Sequence, residues 1–217
     1  MTKTEPTLPR TFRPAPAPAV PSLRDEFRLE VEQRALDAAA AAVLRSGWQQ
    51  VRLADLARET GISRATLHRR FGGKDGLAAA LLTREGERVL LRIDGVLHDA
   101  PSWESGLSEA LDIALRARDD HPLLAAVLDG RHGDTTLLPF LIAHGPIVAD
   151  ARTLLAAFLR VHRPKLTARY LEDVADTLVR AAMSHLVAPD ADDAARERLH
   201  RLAGHLLTHP PSGAIRS

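Results

Sequence analysis

Leu53-Ala54-Asp55-Leu56-Ala57-Arg58-Glu59-Thr60-Gly61-Ile62-Ser63-Arg64-Ala65-Thr66-Leu67-His68-Arg69-Arg70-Phe71 decides how this chain folds. Leu53, Leu56 and Ala57 recur at i, i+3 and i+4, which makes one apolar face of a short helix. Gly61 can take the left-handed conformation that ends such a helix and turns the chain. Ile62 then fills the angle between two helices, and Ser63 stands where the second needs an N-cap. Leu67 and Phe71 lie inward on that helix. Arg70 turns partly toward the protein, where an acid such as Asp55 is its expected partner. Arg64, Ala65, Thr66, His68 and Arg69 face outward. Two short helices at a steep angle, the second of them polar, fit the major groove of B-DNA.

Outward from this stretch the pattern is helical almost throughout. Ala, Leu and Arg dominate, and the β-branched or aromatic alternation of strands is absent, so the expected fold class is all-α. Gly and Pro fall mainly at breaks, which places helices over 23–46, 53–60, 64–71, 75–98, 103–119, 122–129, 135–143, 146–162, 167–187 and 191–208. Residues 1–22 hold six of the fourteen prolines and are expected to form an extended, disordered arm, whose Lys3, Arg10 and Arg13 are placed to lie along a DNA backbone or to be a plain tail. The 217 residues suffice for one large domain or two small ones.

Charge and composition narrow the function. Residues 1–75 carry 13 Lys/Arg against 9 Asp/Glu, and residues 76–217 carry 16 against 19, so the front is basic and the rear acidic. The chain has no cysteine, which excludes disulfides and thiolate metal sites. No run approaches the roughly 18 apolar residues of a membrane span, and the first residues lack the apolar core of a secretory signal. A cytoplasmic protein with no membrane partner is expected. The ten histidines fall in no H-E-x-x-H spacing; His200 and His205 do not share a helix face, and His121, His132 and His144 sit in separate turns. Neither a phosphate-cradling G-x-x-x-x-G-K-[ST] nor a G-x-S-x-G elbow occurs, so no catalytic residues, metal or cofactor are expected. An all-α protein-interaction module is the rival reading, and it predicts no salt-dependent DNA affinity.

Several anchors stand in register: Arg34-Ala35-Leu36-Asp37 running to Gly47-Trp48, then Leu53-Ala54-Asp55-Leu56-Ala57, Gly61-Ile62-Ser63, Ala65-Thr66-Leu67 and Phe71-Gly72-Gly73-Lys74. In these the chain resembles the N-terminal domain of the tetracycline-repressor (TetR/AcrR) family, over about a quarter of its length. The resemblance implies a bacterial DNA-binding regulator with a three-helix reading domain at 23–75, joined to an all-α effector and dimerisation domain at 76–217. It implies a homodimer that binds double-stranded operator DNA and is controlled by a small-molecule effector. A repressor released by that effector is expected; an activator or a ligand-independent regulator would share the same hallmarks. His68 stands where the family mostly has tyrosine, Arg70 where it often has histidine, and Val51-Arg52 where it has Thr or Ser. The reading helix is thereby more basic, and its operator is expected to be its own.

Roles follow for the outward residues. The Arg64 guanidinium can bond guanine O6 and N7 together, a pairing worth about 1–3 kcal/mol of discrimination. Ala65 and Thr66 are short enough to let the helix approach, and can touch a thymine methyl or a phosphate. His68 and Arg69 reach a base edge or the backbone. Lys74 begins a helix, where the dipole disfavours a cation, so a nearby phosphate would account for it; Arg52 heads the preceding helix in the same way.

In the last helices, Leu171, Val174, Ala175, Leu178, Val179, Ala182, Met183 and Leu186 form one apolar stripe, and Leu199, Leu202, Ala203, Leu206 and Leu207 another. Such stripes serve a single-chain core or a dimer interface equally well, and the resemblance favours the dimer. A twofold dimer implies a pseudo-palindromic operator with its readers about one helical turn apart. An effector pocket follows from the resemblance alone; Trp103, Phe140, Phe158 and Met183 are large enough to line one or to be plain core. The glycine-rich stretch 129–146 is the expected gate.

Overall fold

The computed structural model describes residues 22–130, 132, 134–142, 146–189 and 194–216. The proline-rich arm with Lys3, Arg10 and Arg13, parts of the 129–146 gate and the start of the last expected helix lie outside them. The described residues form ten α-helices: α1 Leu23–Ser46, α2 Leu53–Thr60, α3 Arg64–Phe71, α4 Lys74–Asp99, α5 Trp103–Asp120, α6 Pro122–Leu128, α7 Leu138–Ile142, α8 Pro146–His162, α9 Ala168–Val187 and α10 Ala194–Thr208. The all-α expectation holds.

Local chemistry sets the ends of the reading helices. Gly61 closes α2 at φ 69°, in the left-handed region that a Cβ penalises. Ser63 caps α3 by accepting the Thr66 N–H at 3.1 Å. α7 is shorter than the expected 135–143, because the chain turns first: Asp134 accepts the Thr136 N–H at 3.0 Å, and Leu138 N–H reaches the Thr135 carbonyl.

Two large cores lie along α4, with a smaller one around Val89, Ala117, Leu124 and Leu186. The first joins α1, α2 and α3 through Leu36, Leu56, Ile62, Leu67 and Phe71 to Leu77, Ala78, Leu81 and Leu82 of α4, with Leu123 and Val127 of α6 and Leu137 added from behind. The second unites α5, α8, α9 and α10 around Leu107, Leu111, Leu159, Leu171, Leu178 and Leu207, with Leu97 from the far end of α4. Between them, Arg84 (7% exposed) and Glu85 (4%) lie buried on α4. Arg84 reaches Asp37 at 2.7 Å and the Gln33 side chain at 3.3 Å on α1, while Glu85 meets Arg88 at 2.7 Å and faces His121 at 3.9 Å. At the next residue, Gly86, a Cβ would stand 2.7 Å from Ile147, so glycine lets α8 close on α4.

The rear corner is tied by backbone. Thr167 N–H donates to Ala214, Arg216 N–H donates to Lys165, and the Tyr170 hydroxyl donates to the Leu206 carbonyl at 2.7 Å. Arg163 adds a contact to the Leu207 carbonyl. α10 is thereby fixed against the α8–α9 turn.

Ser63→Ala removes the cap of α3 and exposes its first N–H groups. A loss of about 1 kcal/mol in unfolding free energy is expected from urea titration; an unchanged midpoint would show that packing alone orders the helix.

Candidate DNA-reading surface and ligand cavity

α3 stands on Leu67 and Phe71, both buried, and this turns its opposite face to solvent. Arg64, Ala65, His68 and Arg69 are exposed there, and Arg52 is exposed at the head of α2. Thr66 is half-buried, its hydroxyl 2.8 Å from that of Ser63. Neighbouring arginines are engaged: Arg58 with Asp55 at 2.9 Å, Arg45 with Glu59 at 3.4 Å, and Arg70 with Glu32. Among the described residues no carboxylate pairs with Arg52, Arg64 or Arg69. The basic groups facing outward from the reading helix are therefore available to an external anion.

Two sequence expectations change here. Arg70 does not meet Asp55, which is taken by Arg58 one helical turn away on the same helix; its side chain crosses instead to Glu32 on α1. Lys74 does begin α4, but its charge is met from within the chain. Its Nζ donates to the Gln49 carbonyl at 3.0 Å and lies 5.3 Å from the centre of the Trp48 ring. Burial in this corner pushes the ammonium below the usual lysine range; Asp134 opposes that shift and Arg52 adds to it. No phosphate is needed to account for Lys74.

Asp134 was not singled out from sequence. It is 8% exposed and comes from the α6–α7 connection, yet it accepts the Gln49 N–H at 2.7 Å, in the short 3₁₀ turn Trp48–Gln50 that leads into α2. Burial alone would push its carboxyl up, but hydrogen bonds from Thr136 and from the Gln49 and Trp48 N–H groups outweigh this and hold it below the usual carboxylate range. Gly47 makes the approach possible, since a Cβ there would lie 3.2 Å from the Asp134 Oδ2 and its φ of 81° suits glycine. Asp134 thus joins the rear of the molecule to the segment entering the reading head. The signal that sequence offered was Gly47 before a buried Trp48, with no local mark on Asp134 itself.

Between α4, α5, α7, α8 and α9 lies a cavity of about 520 Å³. Phe140 and Met183 line it, with Thr83, Gly86, Ile93 and Ala151 among the other walls. Trp103 and Phe158 do not. Phe158 is buried in the second core, its ring 4.3 Å from that of His162 and filling the space beside Gly106, and Trp103 packs under the Arg163 guanidinium at 5.7 Å. The expected dimer stripe is corrected too: Leu171, Val174, Leu178 and Leu199 are each at most 2% exposed inside the single chain, and Ala182 lines the cavity. Leu202 and Leu206 remain partly exposed on α10. No helix of the described residues is long and apolar enough to cross a membrane, and no group of three or more potential metal ligands gathers among them.

A capped, outward-facing basic helix set on a compact three-helix head, with an apolar chamber behind it, defines a helix-turn-helix DNA-binding protein. Residues 35–81 match the model of bacterial regulatory proteins of the tetR family, and residues 102–204 match that of the bacterial tetracyclin repressor C-terminal domain. The chain belongs to the TetR family of DNA-binding transcriptional regulators, whose repressors are controlled by small-molecule ligands. It is similar to the HTH-type transcriptional regulator AlkX of Mycobacterium tuberculosis, at 26% identity over 87% of this chain and 90% of that protein. Among solved structures it is similar to the TetR family repressor AlkX of Dietzia sp. strain DQ12-45-1b, implicated in biodegradation of n-alkanes (26% identity, 81% and 94% coverage, TM-score 0.63). A TetR-family regulator from Streptomyces coelicolor also resembles it, at 26% identity, 82% and 99% coverage and a TM-score of 0.59.

Asp134→Asn keeps the side chain's shape but removes the charge that its donors favour. With the folded carboxyl held below its ordinary value, its contribution is complete above about pH 4 and is lost as pH falls through the folded value. The wild-type protein should exceed the variant by about 1.5–3 kcal/mol near neutrality, with the gap closing only under acid. Chemical denaturation of both proteins across pH measures it, and a gap that grows on acidification would contradict the hydrogen-bond account.

Proposed function

We propose that the protein is a homodimeric repressor that holds a pseudo-palindromic operator with two copies of α3 and releases it when a small hydrophobic molecule fills the cavity. The observation that carries this reading is the contrast among arginines. Those around the reading head are paired, whereas Arg52, Arg64 and Arg69 present free guanidinium groups outward. Arg64 reads a guanine edge; Ala65, Thr66 and His68 sit at the groove surface; Arg52 and Arg69 bind phosphates. Lys74 contributes by bracing the Trp48–Gln50 turn, and reaches DNA only if it leaves Gln49. The domain division at 75 is functional more than structural, since α4 serves both cores.

For the dimer, the partly exposed Leu202 and Leu206 flank an α10 whose inner face is already used. Two such faces packed about a twofold axis, with α9 beside them, would set the spacing of the reading heads. Release needs only a ligand that prefers a state with different spacing, by a few kcal/mol. Phe140 on α7 lines the cavity, and Asp134 on the same connection holds the turn before α2, so the route from chamber to reader is short. The relation to the Dietzia repressor implicated in n-alkane biodegradation fits a hydrophobic effector.

Binding to the DNA upstream of the protein's own gene, measured at several salt concentrations, tests the reader. Arg64→Ala should relax discrimination by about 5- to 150-fold, with affinity for all sequences falling steeply as salt rises. Selective binding that the variant leaves intact would remove Arg64 from the base-reading role. Leu206→Arg should shift the protein to monomer in light scattering and weaken operator binding together; a dimer that survives it puts the interface elsewhere.

A further inference from the structure

The cavity's walls specify more than hydrophobicity. Its described lining on α4 runs from Ala79 to Leu97, about 27 Å of helix, so its volume of about 520 Å³ is drawn out as a channel. Small residues recur along it, with Gly86, Ala110, Ala114, Ala117 and Ala151 leaving room where leucine and isoleucine do not. Phe140 is the one aromatic among the described lining residues, so there is little flat surface to stack a ring system.

The polar chemistry is sparser still. Thr83 is the one described lining residue with a polar side chain, and its hydroxyl has no hydrogen-bond partner among the described residues. The nearest charges in sequence, Arg84 and Glu85, are turned away. Arg84 reaches Asp37, Gln33 and Glu85, Glu85 also faces Arg88 and His121, and neither residue lines the cavity. Among the described lining residues a carboxylate drawn into this channel would find no counter-charge to replace its water, which is prohibitive for an ion but not for a hydroxyl. Water gains little there either, because it needs two or more polar partners.

We infer that the effector is an uncharged straight-chain aliphatic molecule bearing at most a terminal hydroxyl, which Thr83 receives, and that the matching fatty acid is excluded while ionised. This rests on the reading of the cavity as the effector site. It makes the regulator a sensor of the neutral, early products of hydrocarbon oxidation and of the hydrocarbon itself, and insensitive to the acid that further oxidation would yield.

The test uses the full chain, with Nile red as a neutral reporter displaced from the cavity, and dodecane, dodecanol and dodecanoate as competitors at about pH 8, where the acid is ionised. Operator binding by the same samples is followed by mobility shift. Dodecanol should displace the dye and release DNA, with dodecanoate weaker by at least about tenfold. Thr83→Val should erase the advantage of dodecanol over dodecane while leaving dodecane binding intact. Ala114→Phe, which fills the channel, should abolish displacement by all three. Dodecanoate equal to or tighter than dodecanol would overturn the inference, as would failure of all three to bind a protein that still binds its operator. A protein that takes up dodecanol without losing DNA would keep the ligand class but break the effector reading beneath it.

Discussion

Arg84 lies almost wholly inside the protein with its guanidinium on Asp37, and the architecture depends on that contact. A buried cation is costly unless it is paired, and here Asp37 and Gln33 come to it from α1, a helix of the reading head, with Glu85 of its own helix beside it. Its neighbour Glu85 is buried just as deeply, lies 3.7 Å from the Arg84 Nε, and also meets Arg88 and His121 at the start of α6. These two residues pin the middle of α4 between head and body. On one side of the pin α4 completes the head's core through Leu77 and Leu81; beyond it, Val89, Ile93 and Leu97 wall the channel. One helix therefore belongs to both halves.

A second tie closes the loop. The α6–α7 connection carries Asp134 onto the Gln49 N–H, and α7 a few residues later places Phe140 at the cavity wall. Head and body thus meet along α4, through Leu123, Val127 and Leu137 against the head's core, and at the Trp48–Gln50 turn. Contacts spread in this way fix an orientation, where a single one would allow swivel. Coupling between sites requires an element with two arrangements that both sites bias. The Asp134 junction suits that role better than α4: its holding bonds are a few hydrogen bonds at the edge of the core, whereas the α4 pin sits in packed interior.

How much of this could be read in advance follows from the range of each signal. The bounds of α2, α3 and α8 agree with the sequence pattern because capping, a left-handed glycine and helical periodicity act within a few residues. The outward face of α3 was legible for the same reason. Arg70 was misassigned because its choice between Asp55 and Glu32 depends on the crossing of α3 over α1, 38 residues apart. Leu171, Val174, Leu178 and Leu199 make an apolar stripe whether they face a partner or α5 and α10, and periodicity carries no label for which. Trp103 and Phe158 were chosen by size, but in a cavity the walls are defined by what is small. Gly86 and the alanines of α5 open the channel, and no single one of them stands out in a chain so rich in alanine.

Arginine serves two ends in this molecule, and the difference lies in what each guanidinium is given. Arg45, Arg58, Arg70 and Arg84 have carboxylates within the chain, and the first three are surface pairs that add little stability but fix where each side chain points. By holding these acids in place they also keep them off the reading face, so that Glu32, Asp55 and Glu59 do not quench Arg64 and Arg69. Arg64 and Arg69 are then left without a carboxylate among the described residues, because these neighbours are already committed. A reader built this way loses little on meeting DNA, since no internal pair must break before a phosphate or a guanine can be bound. Arg64 itself stands at the first turn of a capped helix, where the backbone holds the base of its long side chain still.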